Sequence, residues 1–333
     1  MALVACGART PLATGGEGAS DAGADAPFDA RADAKSDAAT VACGAPGGSV
    51  LAASDPEPDT IVLADGFLYW HTANGISRVP VVGGPVEPLD VSPSAQPFPD
   101  LSALAVGGGY VFFADQNAVD RVTVSGGAPE SLFSLPTPGV AASATRVHAW
   151  PRNGPGEVAV RVLDFGAQSF SSYTVAEPPN AMFFVGEEAY VAADPGVYVA
   201  QPQASSAEIL SGQTATDVVV DADAENVYFT SDDGTNGARV IVLSQTTHQQ
   251  SDVAGTSGAF ALAMDATDLF FTDADGLRVR RVDGKTGPVE DVANDGPDFA
   301  PVDLVVDDSC VYWTSASRAG ETQQGRVMVA PKR

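Results

Sequence analysis

Histidine and cysteine are scarce in this chain, with three of each among 333 residues. His71, His148 and His248 stand in no metal-ligand spacing such as His-x-x-x-His, so the sequence does not write a histidine-built metal centre. No Gly-x-Ser-x-Gly elbow, Walker loop or dinucleotide fingerprint occurs, and no local pattern of a hydrolase, NTPase or dehydrogenase is therefore present. Positive charge is short as well: 17 Lys and Arg face 43 Asp and Glu, for a formal net charge of -26. A field of that sign repels nucleic acid and anionic membrane surfaces, and neither is expected as a partner. No run approaches the roughly 18 apolar residues of a spanning helix, so a membrane would be reached only through an anchor.

Such an anchor is suggested near the beginning of the sequence. Leu3-Val4-Ala5-Cys6-Gly7 resembles a bacterial lipobox, in which small residues precede a cysteine that is lipidated after cleavage. The basic and apolar segments of a signal peptide are missing ahead of it, as a start codon placed too far downstream would leave it. With Cys6 lipidated, Cys43 and Cys310 are free to pair in an oxidising compartment. Between Thr10 and Thr40 the chain is Ala, Gly, Asp and Ser with few large apolar residues, too little to offset its ordering entropy. Asp21, Asp25, Asp29, Asp33 and Asp37 would stripe a helix, but Pro27 and the neighbouring glycines oppose one. Residues 1–6 thus read as a truncated signal remnant and 7–42 as a disordered acidic linker. Residues 43–333 read as the folded domain.

Within that domain a short strand recurs. Cys310-Val311-Tyr312-Trp313-Thr314-Ser315 is its clearest copy, echoed at Phe67–Thr72, Tyr110–Asp115, Asn226–Ser231 and Asp268–Asp273. Weaker copies lie at Arg146–Trp150 and Ala189–Asp194. Tyr69, Phe112, His148, Tyr190, Tyr228, Phe270 and Tyr312 mark them, spaced 43, 36, 42, 38, 42 and 42 residues apart. Each unit reads as an apolar strand, a turn with Asp or Gly, the aromatic strand, a polar loop, a third strand, a Gly-rich turn and a fourth strand. Spacing near forty residues with four short strands per unit is that of β-propeller blades. The expected fold is all-β, a propeller of four-stranded antiparallel blades, seven by this count.

Val311-Tyr312-Trp313-Thr314 and Leu269-Phe270-Phe271-Thr272-Asp273, each followed by an Arg-bearing strand, resemble the YWTD propellers of the low-density lipoprotein receptor family and their bacterial relatives. The resemblance covers about Asp59 to Arg333. It implies that motif residues, including Asp115, Asp194 and Asp273 at one repeat position, serve blade packing. It also implies six blades, the alternative to seven. The chain's own ends favour seven: the last unit stops after its third strand, near Ala330, and Ser49–Ser54 can supply the fourth. That donated strand runs in the direction of the aromatic strand, with Cys43 and Cys310 both at or before their starts. The two cysteines therefore fall on one face, with a lateral gap of about two strand spacings (~10 Å) that the residues between Cys43 and Ser49 can cross. A Cys43–Cys310 disulfide is expected as a clasp.

Candidate ligand residues come from the loops after second and fourth strands. They are His71, Phe98, Trp150, Arg152, Asp232, Asp233, Asp275, Phe299 and Arg318. Aromatic residues and arginine are the types enriched at binding hot spots. His148 occupies an aromatic-strand position and reads as packing; His248 sits in a polar turn. Asp232, Asp273 and Asp275 open like calcium loops without completing the twelve-residue pattern, and Asp-Gly is ordinary turn chemistry. The expected function is a non-enzymatic, monomeric, cofactor-free lipoprotein of the bacterial cell envelope, periplasmic or at the outer surface. Its propeller would bind an envelope protein or a small extracellular ligand. A Ca²⁺-dependent, lactonase-like propeller hydrolase with its site at the central channel is the alternative.

Overall fold

The computed structural model describes residues 43–333 apart from 55, 73, 90–103, 115–117, 136–137, 152–155, 187, 195, 201–207, 212, 233–236, 274 and 319–323. The described strands form seven four-stranded antiparallel sheets. The first strand of each sheet touches the first strands of both neighbouring sheets, so seven first strands make an inner ring and the sheets radiate from it. Blade 1 runs outward through Pro58–Ala64, Phe67–Thr72, Gly75–Pro80 and Glu87–Leu89. Blades 2 to 6 begin at Leu104, Pro138, Pro179, Asp217 and Ala259 and end at Ser134, Val175, Ser211, Asp252 and Asn294. Blade 7 takes Phe299–Val306, Cys310–Ser317 and Gly325–Pro331 from the end of the chain and Ser49–Ser54 from its beginning. The seven-blade expectation holds, and the six-blade alternative falls.

Period-2 alternation of polar and apolar residues is missing from the aromatic strands because both faces are packed. In Cys310–Ser317 the first six residues are buried. Val311 and Trp313 pack with blade 6, beside Phe270 and Ala293, while Tyr312 packs with blade 1, beside Ile61 and Trp70. Each such aromatic contributes about 2–3 kcal/mol by leaving water. The motif threonines have a different task. Thr230, Thr272 and Thr314 accept through Oγ1 from the backbone N–H of Asp217, Ala261 and Asp303 at 3.0, 3.0 and 3.2 Å. In blades 6 and 7 the inner strand shifts register there, between Ala259 and Leu262 and between Pro301 and Leu304. The hydroxyl satisfies a donor that such an irregularity takes off the ladder.

Closure is made by both ends of the chain. Ser49–Ser54 pairs antiparallel with Gly325–Pro331, hence parallel in direction to Cys310–Ser317 two strands away. Cys43 and Cys310 are disulfide-bonded with Cα atoms 5.4 Å apart. Between clasp and strand the backbone crosses blade 6, where Gly47 forms a parallel bridge with Ala293. Gly48 is needed there. Its φ is +98°, and a Cβ would stand 2.9 Å from Cη2 of Trp313.

Candidate binding face

The loops after second and fourth strands emerge on one face, here called the upper face. Several expected ligand residues are not available on it. His71 belongs to the strand Phe67–Thr72 rather than to a loop, with its side chain 4% exposed. Its position is that of the motif threonine in blades 5 to 7, which turns it inward. Trp150 is likewise buried, because Arg146–Pro151 continues as strand through it, and its indole Nε1 donates to the Pro179 carbonyl at 2.9 Å. Phe98, Arg152, Asp233 and Cys6 lie outside the described residues. Asp232, Asp275 and Arg318 are exposed, and Phe299 is half-buried.

Around the junction of blades 6, 7 and 1 the upper face gathers charged and aromatic groups. The Arg326 guanidinium lies 3.5 Å from the centroid of the Phe299 ring and donates through Nη2 to the Asp295 carbonyl at 3.3 Å. The Asp295 carboxylate accepts from Trp313 Nε1 at 3.0 Å and from Ser315 Oγ at 2.5 Å. Burial raises the pKa of Asp295 above the ordinary carboxylate range, against the opposing pull of those two donors and of Arg326. Glu57 is raised too, by burial, although the Ser317 N–H donates to it at 3.1 Å. Arg318 projects from this rim, its backbone N–H held by the Asp298 carbonyl at 2.9 Å.

One pair there has the geometry of a base and its orienting carboxylate. His71 Nδ1 lies 2.8 Å from Asp59 Oδ1, which fixes Nδ1 as the donor. His71 Nε2 is buried and has no hydrogen-bond partner. No cavity among those described opens onto it. Asp273 is already engaged: its Oδ1 accepts from the Gly276 N–H at 2.7 Å, and Oδ2 faces Arg280 at 3.6 Å. A carboxylate capping a turn and facing arginines is a poor Ca²⁺ ligand. Among the described residues no group of three or more His, Cys, Asp or Glu side chains is placed to hold a metal ion.

Sequence reading missed the buried aspartates at the inner ring. Asp217 Oδ2 accepts from the Leu262 N–H in blade 6 at 2.7 Å, and Asp303 Oδ2 from the Ile61 N–H in blade 1 at 3.1 Å. Each carboxylate thus ties its blade to the inner strand of the next. The only sequence signal was an aspartate directly ahead of an apolar run, in Asp217-Val218-Val219-Val220 and Asp303-Leu304-Val305-Val306.

No protein-family model matches this chain, and no curated protein sequence does. Solved structures match it in fold. The WD40 repeats of RRP9 superpose with a TM-score of 0.67 at 13% identity, covering 87% of this chain and 99% of that one. The computationally designed Ika8 protein gives 0.60 at 17% identity over 85% and 98%. An extracellular domain described as that of a hybrid two-component system of B. thetaiotaomicron gives 0.65 at 11% identity, covering 87% of this chain and 40% of that one. At such identities the likeness extends to the propeller fold alone.

Proposed function

We propose that this chain is a bacterial cell-envelope lipoprotein whose propeller is a non-enzymatic binding scaffold, docking a partner through the upper rim of blades 6, 7 and 1. The observation that carries the reading is the clasp. A structural disulfide across 267 residues belongs to an oxidising compartment. Lipidation at Cys6 and a tether formed by residues 7–42 are consistent with it, and so is kinship with bacterial YWTD-type propellers in a seven-bladed form. The extracellular propeller from B. thetaiotaomicron shares this architecture. On the rim, Arg318 and the Arg326–Phe299 stack offer the residue types of interface hot spots. An envelope protein is the expected partner.

Intact-mass analysis of protein from native membranes tests the compartment. The expected result is a diacyl or triacyl mass on Cys6 and a gain of two hydrogens on reduction. An unmodified terminus with free thiols overturns it. A photo-crosslinker at position 318 tests the face: it should capture a partner in cells, while one at the exposed Val82 on the opposite face should not. Capture from both positions, or from neither, refutes the rim.

A propeller hydrolase is the second reading, favoured by one observation, the Asp59-oriented His71 with Nε2 unbonded. Its calcium-dependent form requires Ca²⁺ to raise the Tm reversibly with chelator.

A further inference from the structure

Arginines on the third strands of blades 1, 2, 5 and 6 are matched across the sheet by carboxylates on outer strands. Arg78 meets Glu87 at 2.6 Å, Arg121 meets Glu130 at 2.8 Å, and Arg239 meets Asp252 at 3.1 Å. In blade 6, Arg280 meets Asp291 at 3.1 Å and Arg281 meets Glu290 at 2.6 Å. In blade 7 Arg326 stands opposite Ala53 and stacks on Phe299 instead. Blade 3 has neither arrangement. There Arg161 stands opposite Ser172, and no carboxylate among the described residues pairs with it. Beside it lies a shallow, open groove of about 450 Å³ lined by Leu132, Phe133, Arg161, Phe170, Ser171 and Ser172. Phe170 is 62% exposed, a large apolar side chain held edge-on against Phe133 with ring centroids 5.5 Å apart.

The strand that faces Arg161 without a carboxylate is also the least defended of the described outer edges. Outer strands expose unpaired backbone groups, which proteins protect by shortness, charge, proline or bulges. Glu87–Leu89 and Gln250–Asp252 have three residues each, and Glu130–Ser134 and Glu208–Ser211 carry a glutamate. Val289–Asn294 carries Glu290 and Asp291 and already receives Gly47. Ser49–Ser54 is uncharged but shifts register between Val50 and Ala52. Phe170–Val175 has six residues, no charge, no proline and an unbroken register. In blade 6 the outer edge takes one backbone bridge, from Gly47.

We infer that the outer edge of blade 3 is a strand-addition site for an extended segment of a partner protein that carries an aspartate or glutamate among apolar residues. The segment pairs with the free backbone groups of Phe170–Val175. Its carboxylate passes over the small Ser172 to the Arg161 guanidinium, the charge that Glu87 and Glu130 supply in blades 1 and 2. An apolar neighbour covers Phe170 and Leu132. A second copy of this chain is a poor occupant: Phe170–Val175 offers no carboxylate to Arg161, and each copy carries the same net charge of -26. This surface lies at the perimeter and is independent of the upper rim.

The test titrates the full chain with an end-capped eight-residue peptide of alternating threonine and valine with one central aspartate, and with its asparagine counterpart. Fluorescence anisotropy gives affinity and hydrogen exchange gives location. The aspartate peptide should bind and protect amides within 170–175. Its affinity should fall about tenfold with asparagine and in Arg161→Gln, as expected for one charge-assisted contact. Ser172→Glu rebuilds the pair of blades 1 and 2 and should abolish binding with the thermal melt unchanged. Equal affinity in Ser172→Glu, protection elsewhere, absence of binding, or a homodimer that protects 170–175 overturns the inference.

Discussion

Cleaving the clasp is the perturbation whose size follows most directly from topology. The Cys43–Cys310 bond closes a loop of 267 residues, nearly the whole propeller. In the chain-entropy model a loop of that length restricts the unfolded chain by about 5–6 kcal/mol, while removal of native disulfides costs about 2–5 kcal/mol. Unfolding entropy of about 2.1 cal/mol/K per residue, summed over about 290 residues, is about 0.6 kcal/mol/K. The Tm should therefore fall by roughly 3–10 °C on reduction. Cys43→Ser is the cleaner variant, because Cys43 is half-buried whereas Cys310 is fully buried between blades 7 and 1. Differential scanning calorimetry of wild type, reduced wild type and Cys43→Ser should give one high and two equal low transitions, the variant insensitive to reductant. Hydrogen exchange should quicken first in Ser49–Ser54 and Gly325–Pro331, the pair that seals the ring. A Tm change below about 1 °C, or fastest opening at another blade, would refute the role of the clasp in closure.

Two further outcomes follow from buried groups. Asp303→Ala removes the acceptor of the Ile61 and Leu304 N–H groups, both buried, and should cost about 2–4 kcal/mol in urea unfolding at pH 7; a loss below about 1 kcal/mol counts against the interblade tie. His148 is almost completely buried, beside Tyr173 and Phe184, and burial pushes its pKa down to about 3, with Arg146 adding to the shift. The unfolded chain then binds a proton that the folded chain refuses, so stability is full above about pH 6.5 and falls as pH drops toward 3. The loss reaches about 2 kcal/mol by pH 5. His148→Phe, the side-chain type that blades 2 and 6 place there, should flatten the urea midpoint between pH 5 and 6.5, and an unchanged slope would refute the assignment.

Architecture was legible because repetition amplifies a weak signal. One copy of Tyr312-Trp313-Thr314 fits many folds, but seven copies at near-constant spacing fit blades. Closure was legible for a related reason: a last unit one strand short and a spare strand ahead of the first unit admit one pairing, and the cysteines follow from its direction. Side-chain direction was less accessible. His71 and Trp150 hold the place of the motif threonine, a place that lies inside the aromatic strand and turns both inward, although the polar or Pro-rich residues that follow them read as a loop. Asp217 and Asp303 escaped notice because an aspartate ahead of an apolar run resembles an ordinary turn residue. Only the neighbouring blade's inner strand supplies the N–H that makes it a tie.

The sequence by itself determined the blade repeat, the strand order, the sealing of blade 7 and the cysteine pair, since all are properties of order and spacing along one dimension. Tertiary structure decided which polar groups are engaged and which are open. Asp273 is held by a turn and faced by arginines, and Asp295 by a tryptophan and a serine. Arg161 faces Ser172 because register sets a residue without a carboxylate opposite it. Such pairings depend on strand register and on contacts between blades forty residues apart, and a local pattern does not encode them.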